Sequence, residues 1–200
     1  MIDLKSLLFV LLGSENVKIY LDNGATSFPK PECVYDAINL YMRENGASPG
    51  RGTYAKAMTS DKLVFETRKT IMKLFNAKRP SEIVFTSNAT EAINILLKGY
   101  LQNGNGVLTS SIEHNALWRP LKNLEKYQNV QISYFNVTEG GNVDLSEIAD
   151  KLTDNTKLVA FVHSSNVLGN ILPVAEISKL AHKKIYLFLL TQAKLRERIR

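Results

Sequence analysis

Phe85-Thr86-Ser87-Asn88-Ala89-Thr90-Glu91-Ala92 is the stretch from which the rest of the chain can be read. Its left flank, Ile83-Val84-Phe85, is β-rich and reads as a strand. Its right flank, Ala89 to Leu101, places Ile93, Leu96, Leu97 and Tyr100 at helical spacing. A strand that passes through a small, hydroxyl-bearing turn straight into a helix brings three things to one point. These are free backbone amides, the positive end of the helix dipole and the Thr90 hydroxyl, a set that suits a phosphate. Ser, Asn and Thr are also good N-caps, and taken alone the stretch reads more readily as an ordinary helix start. Neither a Walker lysine nor a Rossmann glycine pattern accompanies it, so a nucleotide would be poorly explained.

Working outward, the chain keeps alternating strand and helix. Val107-Leu108-Thr109 follows the Asn103-Gly104-Asn105-Gly106 turn as a strand, and His114 to Tyr127 is the next helix. Val130 to Phe135 is a strand and Asp144 to Leu152 a short helix that Asp144 can cap. Leu158 to Val162 is a buried-type strand, Pro173 to His182 a helix with proline in its first turn, and Ile185 to Leu190 a last strand. This alternation predicts a layered α/β fold with parallel or mixed pairing and right-handed crossovers. Upstream, Glu32 to Asn45 and Ser60 to Phe75 read as helices flanking a Gly/Pro/Ser-rich loop, Gly46 to Gly52.

Two further strand ends carry polar residues. Ser110-Ser111-Ile112-Glu113-His114-Asn115-Ala116 puts a histidine where ligands usually bind in an open α/β sheet. Its ring could stack on an aromatic cofactor or move a proton, or it could simply cap the helix. Val162-His163-Ser164-Ser165-Asn166-Val167-Leu168-Gly169-Asn170 ends another strand, where Asn166 could bond a ring substituent or form an Asx turn. Separated by strand–helix units, the three ends can converge on one edge of a sheet.

Composition sets bounds. With 44% hydrophobic and 22% charged residues, the chain can bury a sizeable core. Most of the net charge of +6 sits at one end: six basic residues from Lys183 onward face one acid, Glu197. The body is close to neutral, which argues against a nucleic-acid surface. A single cysteine, Cys33, excludes an intrachain disulfide and a cysteine-based metal cluster, and it suits a reducing compartment. The apolar run Leu7 to Leu12 is too short to span a bilayer and is followed by no cleavage site. The expectation is a cytoplasmic protein with no membrane partner and no metal.

Tyr20-Leu21-Asp22-Asn23-Gly24-Ala25-Thr26-Ser27-Phe28-Pro29-Lys30-Pro31 resembles the opening of class V aminotransferases of the cysteine desulfurase type. The Ser-Asn-Ala-Thr-Glu-Ala, Ser-Ile-Glu-His-Asn and Ser-Asn-Val-Leu-Gly segments resemble the same family, in order, from about Ile19 to about Phe188. The resemblance implies a three-layer α/β/α domain with a mostly parallel mixed sheet, the large domain of pyridoxal-phosphate transferase fold type I. It implies pyridoxal 5'-phosphate as cofactor, with Ala89 and Thr90 on the phosphate and Asn166 on the pyridoxal O3′. By the same resemblance His114 stacks on the pyridine ring and assists proton transfer, and Gly24, Ala25 and Arg51 lie near the substrate entrance. The implied reaction removes sulfur from L-cysteine to give alanine and an enzyme persulfide, in a homodimer. A class V aminotransferase or selenocysteine lyase acting on another amino acid stays open.

The resemblance stops at Phe188. Where the family continues with an aspartate for the pyridine nitrogen and later the Schiff-base lysine, this chain reads Leu189-Leu190-Thr191-Gln192-Ala193-Lys194-Leu195-Arg196-Glu197-Arg198-Ile199-Arg200. Codons exist for Leu190 to Arg200 that, read two bases later, spell a sequence close to the family's continuation, so a frameshift near Leu189 is expected. The reading therefore divides the chain into 1–18, an extension outside the fold; 19–188, a partial large domain; and 189–200, an aberrant basic tail. It makes the 200-residue chain by itself an inactive N-terminal fragment. Cys33, early in a helix, reads as a packing or surface residue and not as the sulfur-accepting thiol.

Overall fold

The computed structural model describes residues 19–21, 23, 26–166, 168–182 and 187–191. Contacts divide the chain into two compact units, one up to Phe85 and one from Thr86 onward.

In the first unit, α1 (Glu32–Leu40) runs on through a π-helical turn, Tyr41–Asn45, and α2 spans Ala55–Leu74. The turn ends at Gly46, whose φ of +59° is a left-handed conformation that favours glycine. The helix expected over Ser60 to Phe75 thus starts five residues earlier, at Ala55. Ser60 is buried and its hydroxyl is the node of the unit. Tyr41 Oη lies 2.9 Å from Ser60 Oγ, Asn45 Nδ2 donates to it at 2.7 Å, and Ser60 Oγ lies 2.8 Å from the Ala47 carbonyl oxygen. Cys33 is exposed. The strand expected at Ile83–Phe85 does not form. After a 3-10 turn at Pro80–Glu82, the backbone at Ile83 is extended but joins no ladder, and Val84 and Phe85 are exposed. β-rich side chains favour an extended backbone, but a strand needs a neighbour to pair with.

The second unit runs α3 (Ala89–Tyr100), β1 (Gly106–Ser110), α4 (Asn115–Gln128), β2 (Gln131–Phe135), α5 (Leu145–Lys151), β3 (Thr156–Val162), α6 (Val174–His182) and β4 (Leu187–Thr191). The strands pair in the order β2-β1-β3-β4, and every ladder among the described residues is parallel. Such strands are covered on both faces, so their apolar residues run continuously instead of alternating with polar ones. All five residues of β1 are buried.

The period of two along each strand builds the three layers. Val107, Leu158 and Ala160 point to one face, where Ile93 and Leu97 of α3 and Leu117, Leu121 and Leu124 of α4 cover them. Leu108, Phe135, Val159 and Phe161 point to the other face, under Ile148 of α5 and Ile177 and Ala181 of α6. Phe161 meets Phe135 and Phe188 edge-on, with centroids 5.9 and 5.2 Å apart. The chain goes from β1 outward to β2, then crosses back over β1 to β3 and continues to β4. With right-handed crossovers, that reversal puts α4 on one face and α5 and α6 on the other, as the two clusters have them. The reversal also makes the crevice between the carboxyl ends of β1 and β3 a topological switch point.

Candidate functional site

At the start of α3, Asn88 caps the helix by accepting from the Glu91 amide at 2.8 Å. The Glu91 carboxylate reaches back to accept from the Ser87 amide at 2.7 Å and from the Ser87 hydroxyl. These bonds hold the carboxyl of Glu91 below its ordinary value, so it stays ionised. The Ala92 amide donates to the Asn88 carbonyl oxygen at 3.2 Å. Within a helix the amides of Ala89 and Thr90 have no acceptor, and the cap leaves them open.

His114 is the N-cap of α4, and its Nδ1 accepts from the Ala116 amide at 3.0 Å. A ring nitrogen that accepts carries no proton, so the neutral ring has its hydrogen on Nε2. Leu117 and Trp118 amides close on the His114 carbonyl oxygen at 2.9 and 3.0 Å, which anchors the residue from both sides. The cap alternative and the functional alternative are therefore compatible: one ring edge caps, and the rest is exposed.

Beyond β3 the loop folds back on itself. Ser164 bridges Ile171, the Ser165 amide donates to the Asn170 carbonyl oxygen at 3.1 Å, and Gly169 turns the chain with φ +71°. Asn166 sits exposed at the tip of this loop.

Four of the residues singled out from the sequence meet. Ala89, Thr90, His114 and Asn166 line one cavity of about 100 Å³, together with Val162, Ser164 and Thr191, over apolar Ile93, Ala116 and Leu117. The cavity lies at the carboxyl ends of β3 and β4 and at the starts of α3 and α4, beside the switch point. Its lining includes neither an acid nor a lysine. Arg51 is exposed in the first unit, while Gly24 and Ala25 lie outside the described residues. The 1–18 extension also lies outside them, as do residues 192–200 of the expected tail. Residues 189–191, assigned to that tail from the sequence, complete β4 in register with Ala160–Val162.

The structure adds residues that the sequence did not single out. A groove of about 460 Å³ continues from Thr90 and His114 between α3 and α4, past Asn94, Lys98, Asn115, Arg119 and Asn123. The signal was the four-residue spacing of Thr90-Asn94-Lys98 and Asn115-Arg119-Asn123, which aligns each set on one helix face. Glu113, next to His114, is also missed. One of its oxygens, Oε1, accepts from the Val162 amide at 3.1 Å and from the Ser110 hydroxyl, and Oε2 is buried with no partner among the described residues. Burial pushes its carboxyl up to about 7, against the pull of these two bonds.

No described helix is long and apolar enough to cross a membrane, and the described residues contain no His/Cys/Asp/Glu cluster that could hold a metal.

The family model for aminotransferase class-V matches residues 19–194. The chain is 35% identical over 176 residues to a probable cysteine desulfurase of Methanothermobacter thermautotrophicus, covering 88% of this chain and 43% of that protein. It is 34% identical over 173 residues to the cysteine desulfurase IscS of Clostridium botulinum, covering 84% and 43%. Among solved structures, the apo cysteine desulfurase from Thermococcus onnurineus NA1 superposes with a TM-score of 0.77 at 31% identity, over 84% of this chain and 42% of that one. The chain thus spans 43% of the length of these curated relatives. A parallel sheet with a small cavity beside its switch point and a family match over most of the chain lead to one conclusion: this chain belongs to the class-V aminotransferase family.

Proposed function

We propose that residues 86–191 carry the phosphate and ring-facing side of a pyridoxal-phosphate site, and that the whole protein is a cysteine desulfurase-type enzyme releasing sulfur from L-cysteine. The observation that carries this reading is the convergence of Ala89, Thr90, His114 and Asn166 on one cavity. The donor set fits the cofactor. Two open amides at a helix start and a hydroxyl suit a phosphate dianion, and the lining has no acid to repel it.

When bound, the cofactor supplies an electron sink for bonds broken at the substrate carbon, and the protein supplies binding and orientation. Ala89 and Thr90 hold the phosphate through their amides and the Thr90 hydroxyl. The carboxamide of Asn166 donates to a ring oxygen. His114, its Nδ1 committed to the Ala116 amide, offers the ring face for stacking and Nε2 for holding or moving a proton at the substrate. Gly24, Ala25 and Arg51 are assigned to the substrate entrance, and L-cysteine is the substrate that the names of the relatives support. A homodimer is proposed for the whole protein. The apolar Ile38, Leu40, Met42, Leu63 and Phe65, exposed on the first unit, support a further surface covering them.

Fluorescence titration of the 200-residue chain with pyridoxal phosphate tests the site. Thr90→Asp, which sets a carboxylate against the phosphate, weakens binding by about tenfold or more. Equal affinity in the wild type and Thr90→Asp overturns the assignment. For the whole protein, the test is stoichiometric release of alanine from cysteine.

A further inference from the structure

Where β1 and β3 part, one backbone amide loses its natural partner. Their ladder pairs Gly106 with Thr156, Val107 with Leu158 and Leu108 with Val159, and goes no further. On β3 the next amides alternate between neighbours. His163 donates to Thr191 on the β4 side at 3.0 Å, so the Val162 amide points toward β1, which has already turned away. A buried amide without an acceptor is costly. The acceptor it finds is the side chain of Glu113, from the loop between β1 and α4, at 3.1 Å. The same oxygen takes the hydroxyl of Ser110, the last residue of β1, whose Oγ in turn lies 3.4 Å from the Ile112 amide. One carboxyl oxygen therefore ties the two lips of the crevice beside which the cavity lies.

We infer that Glu113 is a positioning residue, which straps the end of β3 to the end of β1 and so fixes the backbone from which His114 presents its ring to the cavity. The loop that it braces is short; its backbone is hydrogen-bonded elsewhere at its ends, and Ile112 packs against the apolar cluster that includes Phe161. The Ser111 amide donates to the Phe135 carbonyl oxygen at 3.0 Å, and His114 begins α4. Without the strap, Glu113 has no hydrogen bond to β3, Ile112 keeps only its packing against the apolar cluster that includes Val159 and Phe161, and His114 is held from the α4 side by the Ala116, Leu117 and Trp118 amides. Both bonds of the side chain fall on one oxygen, no cation pairs with it among the described residues, and burial raises its carboxyl to about 7. An amide oxygen of the same reach can therefore take its place, and a shorter side chain cannot. The role of His114 in the reaction rests on the function proposed above, while the strap does not.

The chain has three histidines, so nitrogen-detected imidazole spectra of the full chain give three ring systems, with His114 assigned by its loss in His114→Asn. The wild type shows His114 as the Nε2–H tautomer and a slowly exchanging Ala116 amide. Glu113→Ala averages the His114 tautomers and speeds Ala116 exchange about tenfold or more, leaving His182 unchanged. Glu113→Gln restores the wild-type pattern. The inference is overturned if Glu113→Ala keeps the His114 pattern and Ala116 protection, or if Glu113→Gln behaves like Glu113→Ala. Should Glu113→Ala not fold, Ser110→Ala decides. It removes one arm of the strap and shifts only the His114 signals, and an unchanged spectrum sinks the idea. None of these measurements needs cofactor, so a chain with an intact strap that fails to bind pyridoxal phosphate would refute the proposed function and not the strap.

Discussion

Phe161 in the second unit is fully buried and touches two other phenylalanines edge-on, whereas Phe65 in the first unit is half exposed on a helix of twenty residues. The same contrast runs through both regions. From Thr86 onward, two apolar clusters fill the layers on either side of the sheet. Among the described residues up to Phe85, α2 buries only Ala57 and Ser60, and a polar node around the Ser60 hydroxyl joins it to the turn before it. A parallel sheet supplies its own covering helices through its crossovers, and so buries its apolar residues within one stretch of sequence. Two helices and a loop cannot do so, because each helix has a single apolar stripe that needs a surface to lie against.

Core truncation breaks the comparison most sharply. Phe161→Ala destabilises the second unit by about 3–5 kcal/mol, while Phe65→Ala changes stability by less than about 0.5 kcal/mol, as read from urea denaturation. Acidity separates the units next. The Glu113 carboxyl lies at about 7 in the folded chain against an ordinary 4.5, so the folded state binds the extra proton between those values. Its contribution to stability is complete below pH 4.5 and is lost as pH rises through 7. Denaturation at about pH 5 and about pH 8 therefore shows a loss of roughly 1–3 kcal/mol in the second unit, and Glu113→Gln abolishes that part of the slope.

The polar node gives a comparable but local effect. Ser60→Ala leaves Asn45 Nδ2 without its acceptor, while Tyr41 Oη keeps the Ala47 carbonyl oxygen; it costs about 1–2 kcal/mol, seen as faster amide exchange over residues 41–60 with β1 and β3 unaffected. Asn88→Ala removes the cap of α3 and costs about 1 kcal/mol in thermal unfolding, with weaker phosphate binding at Ala89 and Thr90. Least of all, Lys69→Ala breaks the exposed pair with Glu66 and shifts stability by under about 0.5 kcal/mol.

Among the described residues, helix and strand periodicity placed six helices and the four paired strands to within about five residues, because each is written in contiguous residues. The extended segment at Ile83–Phe85 was misread for the complementary reason: pairing depends on a neighbour that local sequence does not name. Thr90, His114 and Asn166 were legible because the turns that precede helices or follow strands concentrate polar residues. Glu113 was not, since it looks like any surface glutamate beside a helix start. Only the divergence of β1 from β3 turns it inward and gives its oxygen an amide to hold.

The sequence by itself determined the helices, the four paired strands, their order, the family, the polar helix start at Thr90 and the two polar strand ends at His114 and Asn166, all of which are carried by short runs of residues with fixed spacing. The tertiary structure decided the strand order, with its reversal at β1, and therefore which strand ends face one another. It also decided which oxygen closes the crevice between them. Those outcomes depend on contacts between residues some fifty positions apart, such as Glu113 and Val162, 49 apart in sequence, and such contacts exist only once the sheet has formed.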